Sequence, residues 1–406
     1  MKLSLVAGVV LAAAPACQDD TQSPTSPSSE PALATAATGA LAFRQVSAGS
    51  WHACGVTTDD RAYCWGQNFS GELGDGNPGA AAVTRPVAAA ASLRFLDVRA
   101  GAEHTCGLTI DNQIFCWGSN TDGQLGDGSN SQYSLEPVRL AGARRYRQLR
   151  VGEDHACAIA LSGVTFCWGA NEDGQLGDGT TTGRRAPVRV AGGIGFVHVS
   201  TGAFHTCGLT STKKAYCWGL NRTGQIGDRT STTRLRPVAV SGGIAFATIS
   251  AGGAHTCGVG TDHQAYCWGW NRYGSLGDGT TDRHSRPLPV AGGLAFSGVS
   301  AGAAHTCGVT TDKRAYCWGY NWYGQVGDGT DATGGEPFVV ERLSPVAVAG
   351  SLHFDAVLAA DGRFGNYTCG VTTDARGYCW GENTEGYLGD GTTTSRSTPA
   401  PIASPM

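Results

Sequence analysis

Charge is scarce in this chain. Only 15% of its 406 residues are Asp, Glu, Lys or Arg, and the formal net charge is −4. A surface so poor in cations cannot neutralise a phosphate backbone, which excludes nucleic acid as the natural partner. Methionine is nearly absent, at two residues, and apolar residues rarely recur at helical spacing, which argues against a helical protein. No apolar run is long enough for a membrane-spanning helix, which needs about eighteen residues. None of the glycine-rich phrases ends in Gly-Lys-Ser/Thr, so no phosphate-cradling loop is present, and no unique Ser/His/Asp grouping stands out. An enzyme is therefore not expected, and no cofactor is implied. What the chain does have is glycine: 61 residues, about twice the usual share. They are too unevenly placed for collagen.

The first segment reads as targeting. Met1-Lys2 precedes a short apolar run, Leu3 to Ala14, that closes on Ala14-Pro15-Ala16-Cys17. This is an export signal in outline. Its end is similar to a bacterial lipoprotein box, in which Cys17 would receive lipid, although Ala14 stands where a leucine is usual. The expected location is the cell envelope, with membrane contact only through a lipid at Cys17, or secretion if Cys17 stays unmodified. Residues 18–41 are mostly Ser, Thr, Pro and Ala, a composition that cannot bury a core, and read as a flexible tether.

Residues 42–404 are a repeat. The phrases AYCWGQN, IFCWGSN, TFCWGAN, AYCWGLN, AYCWGWN, AYCWGYN and GYCWGEN recur, with tryptophans at 65, 117, 168, 218, 268, 318 and 380. Each leads into Asn-x-x-Gly-x-[Leu/Ile/Val]-Gly-Asp. Each is preceded by His-x-Cys, at His52, His104, His155, His205, His255 and His305, with Tyr367 in that place last. The period is about fifty residues, and only the last interval is long. Two insertions lengthen it, near 331–344 and 361–367.

Each copy reads as four short strands, which in the fifth are Phe246–Ala251, His255–Thr261, Gln264–Gly269 and Pro287–Val290. Seven such units without capping copies predict an all-β, seven-bladed β-propeller, because a closed ring leaves few exposed edges. The final Pro399–Ala403 segment is expected to supply the last strand of the seventh blade. These phrases resemble the regulator of chromosome condensation repeat family, over nearly all of residues 43–404. The resemblance implies a seven-bladed propeller and partner binding. Family members include a guanine-nucleotide exchange factor for a small GTPase and an inhibitor of β-lactamase. Paired cysteines and an export signal set this chain apart from the nuclear and cytoplasmic members.

Of the 15 cysteines, 14 form seven pairs with nine residues between partners. These are Cys54 with Cys64, Cys106 with Cys116, Cys157 with Cys167, Cys207 with Cys217, Cys257 with Cys267, Cys307 with Cys317, and Cys369 with Cys379. A hairpin turning about Asp59 sets Cys54 opposite Cys64, close enough for a disulfide. The same register sets Gly55 against Tyr63 and Ala53 against Trp65, small facing large. Zinc sites use tighter spacings, and export favours oxidised thiols, so one disulfide per blade is expected and no metal. Seven equivalent copies cannot each hold a unique nucleophile. The repeated histidines therefore read as hydrogen-bonding framework. The Asn-x-x-Gly…Asp loops offer oxygen ligands in the manner of a calcium loop. Yet Arg222 and Arg272 intrude there, so Asn and Asp are expected to brace the turn instead.

Function should lie where the copies disagree. The loops after strands 1 and 3 emerge on one face of the disc and carry unusual aromatics. Trp270, Tyr273, Tyr320, Trp322, Tyr323 and Tyr387 are candidate contacts, with Phe69 and Trp51 nearby. Arg272, Glu336, Glu341, Arg342 and Arg363 would add polar contacts around the rim. Both insertions fall on that same face. The chain is expected to be an exported, monomeric, non-enzymatic binding scaffold for a protein or an envelope glycan. The alternative is a regulator of one partner enzyme or GTPase, and a hydrolase or lyase ranks last.

Overall fold

The structure, a computed structural model, describes residues 41–79, 81–331, 341–362 and 364–405. The export signal, Cys17, the tether up to residue 40, Glu336 and Arg363 lie outside the described residues.

Seven four-stranded antiparallel sheets follow one another along the chain, each built from four consecutive strands. Blades 1 to 7 span Phe43–Ala89, Phe95–Arg139, Tyr146–Arg189, Phe196–Ala239, Phe246–Pro289, Phe296–Ala347 and Phe354–Pro401. In blade 5 the strands are Phe246–Ala251, His255–Gly260, Ala265–Gly269 and His284–Pro289. The outer strand begins three residues before the Pro287 start that the sequence suggests. The register shifts between Cys267 and Gly269, which pair with Leu288 and His284. Pro287, which has no N–H to donate, therefore sits inside a bulge on an edge strand. The first strands line a central tunnel of about 300 Å³.

The second strand of each blade is almost wholly buried. Cys54 pairs with Cys64, Gly55 with Tyr63 and Ala53 with Trp65, as the hairpin reading requires. The same register recurs in every blade and brings each expected cysteine pair together as a disulfide. Cys54 is bonded to Cys64, Cys106 to Cys116, Cys157 to Cys167 and Cys207 to Cys217. Cys257 is bonded to Cys267, Cys307 to Cys317 and Cys369 to Cys379. The Cα atoms stand 4.0 Å apart in the first bridge and 4.1 Å in the second, the close approach of directly opposed residues on neighbouring strands. The second-strand glycine has a packing reason. A Cβ on Gly55 would come within 2.6 Å of the Phe43 ring, which packs over the strand.

Blades are joined by side chains. Each buried tryptophan reaches back to the preceding blade's loop, where Trp218 Nε1 donates to the Gln175 carbonyl at 2.9 Å and Trp318 Nε1 to Ser275 at 2.9 Å. Close approach depends on glycine: Gly177 has φ +68°, and a Cβ there would lie 2.6 Å from Trp218 Nε1.

The ring closes in the same way, and among the described residues no strand is shared between the ends. Trp65 Nε1 donates to the Tyr387 carbonyl at 2.8 Å, and Phe43 N to Ala375 O at 2.8 Å. Ala42 bridges to Arg376, and Leu41 packs on the core below. The last strand of blade 7 is Arg396–Pro401, overlapping the terminal strand that the sequence suggests.

Candidate functional site

The recurring histidines belong to the framework. His205 Nε2 lies 2.8 Å from Thr256 Oγ1 in the next blade, and Thr256 Oγ1 donates to Gln225 O at 2.7 Å. A hydroxyl that has spent its proton can only accept, so the histidine carries its proton on Nε2. Burial lowers these rings far below the ordinary histidine value, to about 4 for His52 and His255 and about 3 for His104, His155, His205 and His305. Neutral and buried between blades, they are unavailable for acid–base chemistry.

The glycine-bent loops are braced as turns. Asn171 Oδ1 accepts from Leu176 N at 3.0 Å, while its Nδ2 reaches Asp178 Oδ1 at 3.3 Å. Asp178 is in turn paired with Arg184 at 2.8 Å. Arg342 is the equivalent brace in blade 6, with Nε 2.6 Å from Asp328 Oδ2. Arg342, expected as a rim contact, has its guanidinium engaged with Asp328 at the loop base.

Tyr387 is a correction to the expected contacts. It is 2% exposed and stacks on Tyr367 at 5.4 Å, with Trp51 tilted against it. The seventh-blade loop turns inward at the ring seam, where Tyr367 takes the histidine's place and donates to His52 O at 2.7 Å. Tyr387 fills the seam and offers no contact surface.

The other aromatics converge. Trp270 meets Tyr273 edge-on at 5.3 Å, and Tyr273 packs on Tyr320 at 4.8 Å. The Arg272 guanidinium lies 5.6 Å above the Tyr273 ring, within cation–π range. Trp270, Tyr273 and Tyr320, together with Phe204, Leu220 and Asn366, wall a hollow of about 440 Å³, floored by Gly253, Ala254, Ala303 and Ala304. Trp322 stands in the neighbouring loop and is 44% exposed. Burial raises the Tyr320 phenol to about 12, with Tyr323, Tyr273, Glu341 and Glu382 adding to the shift. It stays a neutral donor at physiological pH.

Two positions per blade set the character of this face. The residue before the histidine position is Trp51, Glu103, Asp154, Phe204, Ala254, Ala304 or Asn366, and the residue after Trp-Gly is Gln67, Ser119, Ala170, Leu220, Trp270, Tyr320 or Glu382. Main-chain bonds pair them across the loops, such as Leu220 N to Phe204 O at 2.9 Å and Trp270 N to Ala254 O at 3.0 Å. Alanines at 254 and 304 open the hollow, and large apolar residues at 204, 220, 270 and 320 wall it. Sequence reasoning picked out Trp270 and Tyr320 but missed Phe204, Leu220 and Asn366. The signal was available, because both positions vary from copy to copy, with six different residues before the histidine and seven after Trp-Gly.

The tunnel is charged, and its arginines are paired. Arg99 and Arg150 flank Asp97 at 2.8 and 3.2 Å. Where blades 1, 4, 5 and 6 carry a serine at this level, it accepts the next blade's amide, as Ser200 Oγ does from Ala251 N at 3.0 Å.

A closed ring of seven four-stranded blades, carrying a variable loop face over a uniform framework, defines a seven-bladed β-propeller. The chain belongs to the RCC1-like domain family, whose model matches residues 16–362. The ultraviolet-B receptor UVR8 of Arabidopsis thaliana is 31% identical over 140 residues, 34% of this chain and 32% of that protein. The match thus spans about a third of that relative's length. Among solved structures, human WBSCR16 superposes with a TM-score of 0.72 at 21% identity, covering 85% of this chain and 94% of that one. Prp20p of Saccharomyces cerevisiae, described with its binding properties to Gsp1p and histones, gives 0.72 at 20%, covering 86% and 87%. At these identities the superpositions speak for the fold alone.

Proposed function

We propose that this protein is an exported, non-enzymatic scaffold that holds a partner protein on the face formed by the loops after strands 1 and 3, centred on the aromatic hollow of blades 4 to 6. The observation that carries the reading is the hollow itself, in which three ring-packed aromatics and Phe204 surround a floor of small residues. Aromatic anchors seated in such pockets contribute most of the energy in protein interfaces. The binding described for Prp20p supports a protein partner by family analogy, and a regulator of one partner enzyme or GTPase is the narrower form of the same reading. The paired rings of Trp270 and Tyr273 also suit a sugar ring, which makes an envelope glycan the second reading.

Seven buried disulfides support export, because such pairs persist in oxidising compartments. Lipid at Cys17 would tether the ring to the envelope through residues 18–41. Mass spectrometry of the N-terminal peptide checks that part.

The test of the binding reading is affinity capture from a cell-envelope extract. Trp270→Ala with Tyr320→Ala should cost about 2–4 kcal/mol of binding with little change in melting, and Trp322→Ala with Tyr323→Ala should weaken capture as well. Protease treatment of the extract separates a protein partner from a glycan. Capture that survives both double variants but is lost on Lys213→Ala with Lys214→Ala, at the opposite turns, would move the site to the other face.

A further inference from the structure

Blade 4 departs from the other copies at one position. The residue after the loop aspartate is Gly76, Gly128, Gly179, Gly279, Gly329 and Gly391 elsewhere, but Arg229 here. All seven adopt positive φ, 81° to 89° for the glycines and 69° for Arg229. A long side chain is strained in that region where glycine is not. Nothing in the backbone offsets the strain. Arg229 N donates to Ser285 O at 2.8 Å, and Gly179 N makes the same bond to Leu235 O at 2.9 Å.

A second departure lies across the blade junction. Leu135, Leu235 and Leu343 cover Gly71, Gly174 and Gly274 at three other junctions. Between blades 2 and 3, Arg185 spans the gap and donates to the carbonyls of Asn120, Thr121 and Ser129. Beside Gly224 the residue in the leucine's place is the small Ser285. The gap leaves a concavity of about 460 Å³, walled among others by Arg222, Arg229, Ser231, Arg283 and Ser285. Ser397 is equally small beside Gly324, but the matching loop there carries Trp322 and Gly329 where this one carries arginines.

Three guanidiniums from two blades therefore share one hollow. None forms an ion pair among the described residues. The nearby Asp228 is held by Arg234 at 2.7 Å, and the Asp282 carboxylate, exposed beside Arg283, makes no ion pair with it among the described residues. Arg283 Nη1 reaches only the Arg222 carbonyl, at 3.5 Å. Like charges gathered without a counter-ion repel, and an anion between them turns that repulsion into charge-assisted hydrogen bonds.

We propose that this hollow is a binding site for a doubly charged tetrahedral oxyanion, a phosphate or sulfate group, with the guanidiniums as the main donors and the hydroxyls of Ser231 and Ser285 completing the set. It recognises one such group, which agrees with a chain too acidic to follow a nucleic-acid backbone. The site shares the loop Leu220–Gly224 with the aromatic hollow, since Leu220 lines one and Arg222 the other. It rests on different residues and is read by a different experiment.

Isothermal titration of the full chain with inorganic phosphate, and separately with sulfate, at ionic strength held constant by sodium chloride, tests the proposal. Saturable binding at one site is expected, and the stronger of the two arms names the anion. Arg229→Gly restores the residue of the other six copies, so it removes a donor while relieving strain. It should weaken binding at least tenfold with melting unchanged or raised. Arg222→Ala with Arg283→Ala should produce a similar loss, and Arg272→Ala, over the Tyr273 ring, should leave anion binding intact. No saturable binding of either anion to the wild type, or wild-type binding by Arg229→Gly, would overturn the assignment. Both results are independent of partner capture, so the two readings fail separately.

Discussion

His305 Nε2 lies 2.8 Å from Thr368 Oγ1 of the next blade, and Thr368 Oγ1 donates to the Gln325 carbonyl at 2.9 Å. The same carbonyl also accepts Trp380 Nε1 at 3.0 Å. One histidine, one threonine, one tryptophan and one loop carbonyl thus lock two blades together. The unit recurs around the ring, and its departures can be tested.

The clearest departure is at His104. Blade 3 carries Ala156 where the blades facing the other five histidines carry threonine, and neither ring nitrogen of His104 finds a partner among the described residues. Ala156→Thr should supply the acceptor for His104 and a donor to Gln124 O, which already accepts Trp168 Nε1. The expected gain is about 1 kcal/mol, typical of a net hydrogen bond, read as a higher urea midpoint with unchanged slope. A loss of stability would mean that the packing around Ala156 has closed over the space that threonine occupies elsewhere.

The histidines also set the pH dependence. Their folded values, about 3 to 4, lie below the ordinary 6.5, so the unfolded chain binds more protons in that window. Stability is complete above pH 6.5 and falls toward pH 4, by about 1.4 kcal/mol per pH unit for each histidine. Burial pushes Glu72 up to about 7 and Asp361 upward, which acts in the opposite sense as pH falls. Six histidines outweigh two carboxyls. Melting recorded between pH 7.5 and 4.5 should show a steady decline, and a flat profile would contradict the buried neutral rings.

Disulfide loss should be local and graded. Replacing Cys207 and Cys217 together with alanine is expected to cost about 2–3 kcal/mol by the loop-entropy model. The same change at Cys317 and its partner Cys307, in blade 6, should cost a similar amount, because the closed loops are of equal length. Peptide mapping of the oxidised protein should return only links within a repeat, and a cross-linked peptide joining two blades would refute the pairing.

Arg342 and Arg272 should separate framework from surface. Arg342→Ala leaves the 11%-exposed Asp328 carboxylate without its cation and should destabilise by about 1–3 kcal/mol, with partner capture unchanged per folded molecule. Arg272→Ala should do the reverse, weakening capture while melting moves little. Equal behaviour of the two would undo the distinction.

The architecture was legible because it is written seven times. Trp-Gly, His-x-Cys and Gly-Asp recur at one spacing, and a hairpin with nine residues between cysteines admits one register, so blade number, disulfide pairing and the buried role of tryptophan and histidine follow from local pattern. The outer strand was less legible. Pro287 marks a strand start by propensity, whereas the edge position tolerates it within a bulge.

The candidate face was only partly legible. Trp270, Tyr273 and Tyr320 stood out as aromatics in variable loops, but Phe204 gains its meaning from Ala254 and Ala304 in later copies, whose small side chains leave room. Tyr387 has the same residue type and loop position as a contact residue, yet the seam packs it against Tyr367. Arg342 looks like a rim charge until Asp328 is seen beneath it. Ser285 and Arg229 are some fifty residues apart and acquire a joint meaning only where two blades meet. The sequence alone determined the repeat, its strands, its cross-links and the face on which variation falls, because those depend on contacts within one unit. Which variable residues share a hollow, and which are consumed by the framework, was decided by the tertiary structure, because blade packing brings together side chains that no local spacing relates.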